Sequence, residues 1–310
     1  VSRTVSSARA ARLWAVLPLI LLAANAVGQG VGIFPGPAAA STGQNELQAL
    51  ASAYPDRISR AQARDGDWAL QMDDEWFFWA HGRLLPESER GDWERYAPFR
   101  FYAYPLEDLP PVPNLDDESA ALLTKLLQAS RAHPPRRSEA FLEQLFRAGS
   151  RAETLKRIVR VSFLGSSVQV HERLAGPLQD VARECDALRA SDPRAAAFFA
   201  GLAEVDGFNY RDVAGTLSRS YHGYGLAVDL IPKSYAGRAP YWRWVMDSDP
   251  KWWSTPYARR WSVPPEVVSA FERHGFVWGG KWLFFDTMHF EYRPEILLMA
   301  RTPAPSPPSP

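Results

Sequence analysis

The chain has 310 residues, 46% of them hydrophobic, which is enough apolar material for one large core or two smaller ones. Lysine plus arginine equals aspartate plus glutamate at 35 each, so no net field draws nucleic acid or an anionic membrane surface. The single cysteine, Cys185, excludes an internal disulfide and a multi-cysteine metal site.

In chain order, residues 1–27 read as a signal peptide or an N-terminal anchor. Arg3, Arg9 and Arg12 make a basic start, and residues 13–27 an apolar run. That run is shorter than the about 20 residues a spanning helix needs. Ala24-Asn25-Ala26 fits a small-x-small cleavage pattern. Either fate exports the rest to the periplasm or cell envelope, tied to the inner membrane if the segment is retained. Residues 28–44, rich in glycine, alanine and proline, read as a disordered linker. Residues 45–114 form an aromatic-rich accessory region with Trp68, Trp76, Phe77, Phe78, Trp79 and Trp93. It is expected to pack on the rest as a layer, or else to offer a platform for sugar rings.

Residues 115–301 are expected to make one domain. Leucine spacing predicts helices over 116–131 and 139–157, then a strand over 158–164. A helix over 171–190 places Leu174, Leu178, Val181, Cys185 and Leu188 on one face, which makes Cys185 a buried structural thiol. A short helix follows over 194–204. Residues 235–261, with Trp242, Trp244, Trp252 and Trp253, read as the rim of a cleft. Pro264 and Pro265 open a helix that Gly275 closes. Residues 302–310 are a proline-rich tail.

Two segments carry chemistry. Ser220 to Asp229 (SYHGYGLAVD) sets His222 seven positions before Asp229, and Asp286 to Glu291 (DTMHFE) adds a carboxylate and a second histidine. Leu226, Val228 and Leu230 mark a strand buried on both faces, where a carboxylate is costly unless a metal or cation compensates it. Gly223 and Gly225 allow the backbone to turn His222 back toward Asp229, and Ser220 can hold that turn. His222, Asp229 and His289 thus make the three ligands of a one-zinc hydrolase site, with one Zn²⁺ per chain and a fourth position for water. Asp286, three residues before His289, reads as the general base. Glu291 shares a strand face with His289, either supporting it or pairing with Arg293 at the surface. His81, His133, His171 and His274 read as structural.

The string S-x-H-x-x-G-x-A-x-D followed by D-x-x-H-F-E resembles the zinc D,D-carboxypeptidases and L-alanyl-D-glutamate endopeptidases of bacterial cell walls, including VanY-like carboxypeptidases and phage endolysins. The resemblance covers residues 205–298. It implies His222, Asp229 and His289 as zinc ligands and Asp286 as base, aspartate at this place being similar to the endopeptidase branch. Relatives carry an upstream arginine for the substrate carboxylate. Arg211 is the best match although close to His222, and Arg219 is the rival; either guanidinium can hold a carboxylate through two parallel bonds.

The expected fold is therefore α+β: a small, mainly antiparallel sheet carrying the zinc site, flanked by helices, with the aromatic-rich N-terminal extension. The expected activity is hydrolysis of peptidoglycan stem peptides by a monomer, as a D-Ala-D-Ala carboxypeptidase. The alternatives are an L-Ala-D-Glu endopeptidase and a catalytically silent wall-binding protein.

Overall fold

The computed structural model describes residues 42–301. The leader at 1–27, most of the linker at 28–44 and the tail at 302–310 lie outside the described residues. No helix among the described residues is long and apolar enough to cross a membrane.

The fold is α+β. Helix α1 (Gln44–Ala53) precedes a meander of β1 (Ile58–Arg64), β2 (Asp67–Met72), β3 (Glu75–Ala80) and β4 (Arg83–Pro86), all antiparallel. Turn chemistry explains the meander. Asp65-Gly66 and His81-Gly82 each put two successive residues at positive φ, the backbone of the two-residue turns that match strand twist. The aromatic run of β3 faces inward: Phe77, Phe78 and Trp79 are buried, so these rings serve packing and not a sugar platform. An extended strap, residues 99–114, then crosses to the C-terminal half.

Helix α2 (Asp117–Ala132) follows, capped by Asp116, which accepts from Ser119 N–H. The expected single helix over 139–157 is instead two, α3 (Ala140–Phe146) and α4 (Arg151–Arg157). Arg147 takes a left-handed φ of 51° and ends the first, and Ser150 caps the second. Strands β5 (Ile158–Phe163) and β6 (Ser166–His171) form a hairpin. Helix α5 (Ala175–Ser191) buries Leu178, Val181 and Cys185, and burial pushes the Cys185 thiol up to about 12, the state of an inert core residue. Helix α6 (Pro193–Ala200) stops at Gly201, earlier than expected, because residues 202–206 are strand β7 (Leu202–Asp206).

The second sheet has the order β7-β8-β10-β9 and is antiparallel throughout, with β8 (Ala227–Pro232), β9 (Phe276–Trp278) and β10 (His289–Tyr292). The short helices α7 (Tyr221–Tyr224) and α8 (Trp242–Met246) precede α9 (Pro265–Arg273), which covers the back of the sheet and whose Phe271 stacks on Phe290 with centroids 3.9 Å apart. Within 235–261, Trp242, Trp252 and Trp253 are buried with Leu123 and Phe285 in a second cluster. Only Trp244 of these four tryptophans is exposed, so the other three anchor the segment to the core while much of the rest of it stays at the surface. Helix α10 (Pro294–Arg301) closes the chain against α1.

Candidate metal centre

Strand pairing creates the centre. In the β8–β10 ladder His289 lies opposite Asp229, and residues directly opposite project to the same face of a sheet. His222 comes from the helical turn Tyr221–Tyr224 that precedes β8. Ser220 caps this turn by accepting the His222 N–H at 3.3 Å. The two glycines have separate reasons. A Cβ at Gly223 would lie 2.9 Å from the Arg211 carbonyl, while Gly225 has φ +74° and a Cβ there would meet His171 N at 2.7 Å.

The result is three donor atoms facing one point. His222 Nε2 and His289 Nδ1 are 3.1 Å apart, and Asp229 Oδ1 stands 2.8 Å from His289 Nδ1 and 3.3 Å from His222 Nε2. Two imidazole nitrogens at that separation need a proton or a cation between them. Ligands at about 2.0–2.2 Å in a tetrahedral set are themselves about 3.3 Å apart, so the spacing and the N, N, O donor chemistry fit a zinc ion. The far ring nitrogens are tied off as metal-binding histidines require. His222 Nδ1 donates to the Gly207 carbonyl at 2.6 Å, and His289 Nε2 meets Glu291 Oε1 at 3.2 Å.

Electrostatics agrees. Burial opposes ionisation of Asp229, but the His222 and His289 rings outweigh it and hold its carboxyl well below the usual range. Burial likewise disfavours a charged His289, yet its bonds to Asp229 and Glu291 raise it well above an ordinary histidine.

Asp286 stands beside this group and outside it. Its Oδ1 is buried with no hydrogen-bond partner among the described residues. Burial, with the Asp229 charge adding to it, raises the carboxyl to about 6. The backbone fixes this position: Asp286 N donates to Gly279 O at 3.1 Å and Asp286 O accepts from His289 N at 3.3 Å. A Cβ at Gly279 would fall 2.5 Å from the Asp286 carbonyl, so this crossing requires glycine. On the other side Tyr241 pairs with Asp286 in an isolated bridge.

The two candidate arginines separate cleanly. Arg219 is 7% exposed, donates to the Ala148 carbonyl at 2.6 Å, pairs with Glu143 and lies over the Tyr224 ring. Its guanidinium is committed to partners in the interior, which favours Arg211 over it as the candidate clamp. Arg211 is exposed and has no carboxylate partner among the described residues. Its closeness in sequence to His222 is resolved by a tight hairpin, in which Asp212 pairs with Arg219 and Ser220 N donates to Arg211 O at 3.0 Å. Tyr241 senses this flank: burial raises its phenol, and the Arg243 and Arg211 charges oppose the rise.

Glu291 does both things proposed for it, bonding His289 and standing 3.8 Å from Arg293 Nη1, but Arg293 is 2% exposed, so the pair is internal. The remaining histidines are elsewhere. His171 bonds the Phe146 carbonyl, His274 bonds Glu184, and His81 stacks on Trp93. Sequence reasoning missed Gly207, whose carbonyl orients His222, and Trp282, whose ring lies 5.7 Å from His289. Gly207 follows a strand in a position where a Cβ would clash with the Gln169 carbonyl, and that glycine was the available signal.

Residues 214–292 match a family model described as D-alanyl-D-alanine carboxypeptidase. Residues 46–101 match a model described as a domain of unknown function. No curated protein and no solved structure matches the chain. The first match contains His222, Asp229, Asp286 and His289 and begins just after Arg211. It supports, at the coarse level, a zinc peptidase family that acts on peptidoglycan.

Proposed function

We propose that the chain is an exported zinc peptidase that removes the terminal D-Ala from peptidoglycan stem peptides. The observation that carries this reading is the His222–Asp229–His289 donor set with the buried Asp286 Oδ1, which has no hydrogen-bond partner among the described residues, beside it. Bound at that set, zinc supplies Lewis acidity and lowers the pKa of a water to about 7. Asp286 Oδ1, free of other bonds, takes a proton from the attacking water and returns it to the leaving amine. Burial makes this carboxylate more basic than an exposed aspartate, the direction a general base needs. Arg211 binds the terminal carboxylate of the substrate through its free guanidinium. Gly207 and Glu291 hold the two imidazoles so that no reorganisation is needed during turnover.

The base assignment is tested with Asp286→Ala. Elemental analysis should find about one zinc still bound, while turnover falls on the order of 10²–10⁴-fold. Loss of zinc would make Asp286 a ligand. The substrate is tested by mass spectrometry of purified muropeptides incubated with the zinc-loaded chain. Release of terminal D-Ala supports the proposal, and a cut between L-Ala and D-Glu replaces it by the endopeptidase reading.

A further inference from the structure

The strap that leaves the N-terminal meander reaches the back of the metal centre. Trp282 packs on His289, and its indole Nε1–H donates to the Tyr102 hydroxyl at 3.1 Å. Two residues earlier the Arg100 carbonyl accepts from Arg293 Nη2 at 2.6 Å, and Arg293 Nη1 faces Glu291, the residue that bonds His289 Nε2. Two residues later Tyr104 donates to Glu272 and accepts the Trp278 N–H at 2.9 Å, and Lys281 Nζ binds the Pro105 and Leu106 carbonyls at 2.7 and 3.0 Å. Every second residue of this stretch thus grips an element that supports β10. Arg100 and Phe101 close the match to the domain of unknown function, and Tyr102 and Tyr104 lie just past it.

We propose that this strap is a working part of the metal centre and that Tyr102 is a positioning residue. By fixing Trp282 against one face of His289, while the Arg100 carbonyl fixes Arg293 beside Glu291, it holds the imidazole in its ligating orientation. The inference rests on the reading of His289 as a metal ligand. It gives the N-terminal unit a role in the chemistry without contact to substrate, because Trp282 and Arg293, which flank His289 and its partner Glu291, are each held by a bond to the strap. Neither route needs a change of charge. Both act by restricting ring rotation, which is how partners behind a ligand tune a site.

The test uses the full chain with Tyr102→Phe, which removes one hydroxyl and keeps the ring. Tyr257→Phe is the control, since it keeps the ring and breaks a strap bond, to the Pro110 carbonyl at 2.7 Å, other than those to Trp282 and Arg293. Chelator competition should show zinc held about tenfold more weakly by Tyr102→Phe, the lower end of the range for residues behind a ligand, with the control unchanged. The metal-free melting temperature should be the same in both variants. In a Trp282→Phe background the Tyr102 change should add nothing, because the hydroxyl has lost its donor. Zinc affinity equal to that of the control, or a further loss in the Trp282→Phe background, overturns the proposal. If the wild-type chain binds no zinc, the functional reading fails separately. The His289 ring resonances of the metal-free chain, compared between wild type and Tyr102→Phe, then still decide whether the strap orients the ring, and unmoved resonances overturn it.

Discussion

Arg211 and Arg219 are eight positions apart, and burial alone gives them different work. Removing the Arg219 side chain takes the partner from a half-buried Glu143 and the donor from the Ala148 carbonyl, so Arg219→Ala should cost about 1–3 kcal/mol of stability, as read in urea. Arg211→Ala should leave stability unchanged and raise KM. The paired substrate experiment is sharper: amidating the terminal D-Ala should slow the wild type at least about a hundredfold, equivalent to about 2.7 kcal/mol, and slow Arg211→Ala far less. Equal rates on both substrates would remove Arg211 from the clamp. At the ligands themselves, His222→Ala or His289→Ala should abolish zinc in elemental analysis, since losing one of three donors forfeits several of the about 10 kcal/mol or more that such sites supply. His171 gives a pH effect free of the metal. Its Nε2 bonds the Phe146 carbonyl and its Nδ1 accepts the Arg173 N–H, so the ring must be neutral, and burial lowers its pKa below the ordinary 6.5. The unfolded chain then binds more protons below 6.5, so the contribution is whole above that value and is lost as pH falls through it. Urea titrations of metal-free protein should show wild type losing more stability than His171→Gln on that descent, and parallel curves would refute it.

Elements were legible where a single period ran its full length and opaque where one residue changed the backbone. The α2, α5 and α9 stripes and the β8 and β10 strands stand close to where the hydrophobic spacing puts them. The break between α3 and α4 was not readable from apolar spacing, because Leu142, Leu145 and Leu155 continue a helical rhythm across it. The interruption is made by Arg147 at φ 51°, a conformation that costs an L-residue roughly 1–2 kcal/mol and that glycine adopts freely. Arg147→Gly should therefore stabilise the fold by about 0.5–1 kcal/mol, a gain reduced by the entropy glycine loses on folding. A lower urea midpoint would show that the arginine side chain contributes more than its backbone costs. Strand β7 was hidden for a related reason: five residues with one buried side chain, Val205, offer no pattern, and what fixes them is the Ser166 hydroxyl and pairing to β8. The candidate ligands were legible as a group, and the structure brings them together, because histidine and aspartate at fixed offsets from strand residues have few other uses. Their supports were not, since a glycine carbonyl and a tyrosine about 180 residues from its indole partner leave no local mark.

On the scale of the whole molecule, the N-terminal meander and the metal-bearing sheet are parts of one core. A single buried cluster runs from Leu47 in α1 through Phe77 and Phe99 to Phe141, and on to Val228, Phe290 and Leu297. Phe141 lies within this shared cluster, where it meets Phe77 edge-on at 5.5 Å and Phe99 at 5.6 Å, and Tyr54 crosses separately to Glu295 at 3.1 Å. Two units sharing such a cluster should unfold together, because opening either one exposes the same rings. Phe141→Ala should then cost about 3–5 kcal/mol, the usual price of deleting a buried ring, although it lies in neither sheet. On the proposed function, zinc binding to the folded chain should add back about 4 kcal/mol at a thousandfold excess over its Kd, in wild type and variant alike. Calorimetry with and without zinc reads both effects. One transition that shifts as a whole, with an equal zinc increment in both proteins, is the expected result. Two transitions, of which only the second responds to zinc, would show that the meander folds apart from the site it supports.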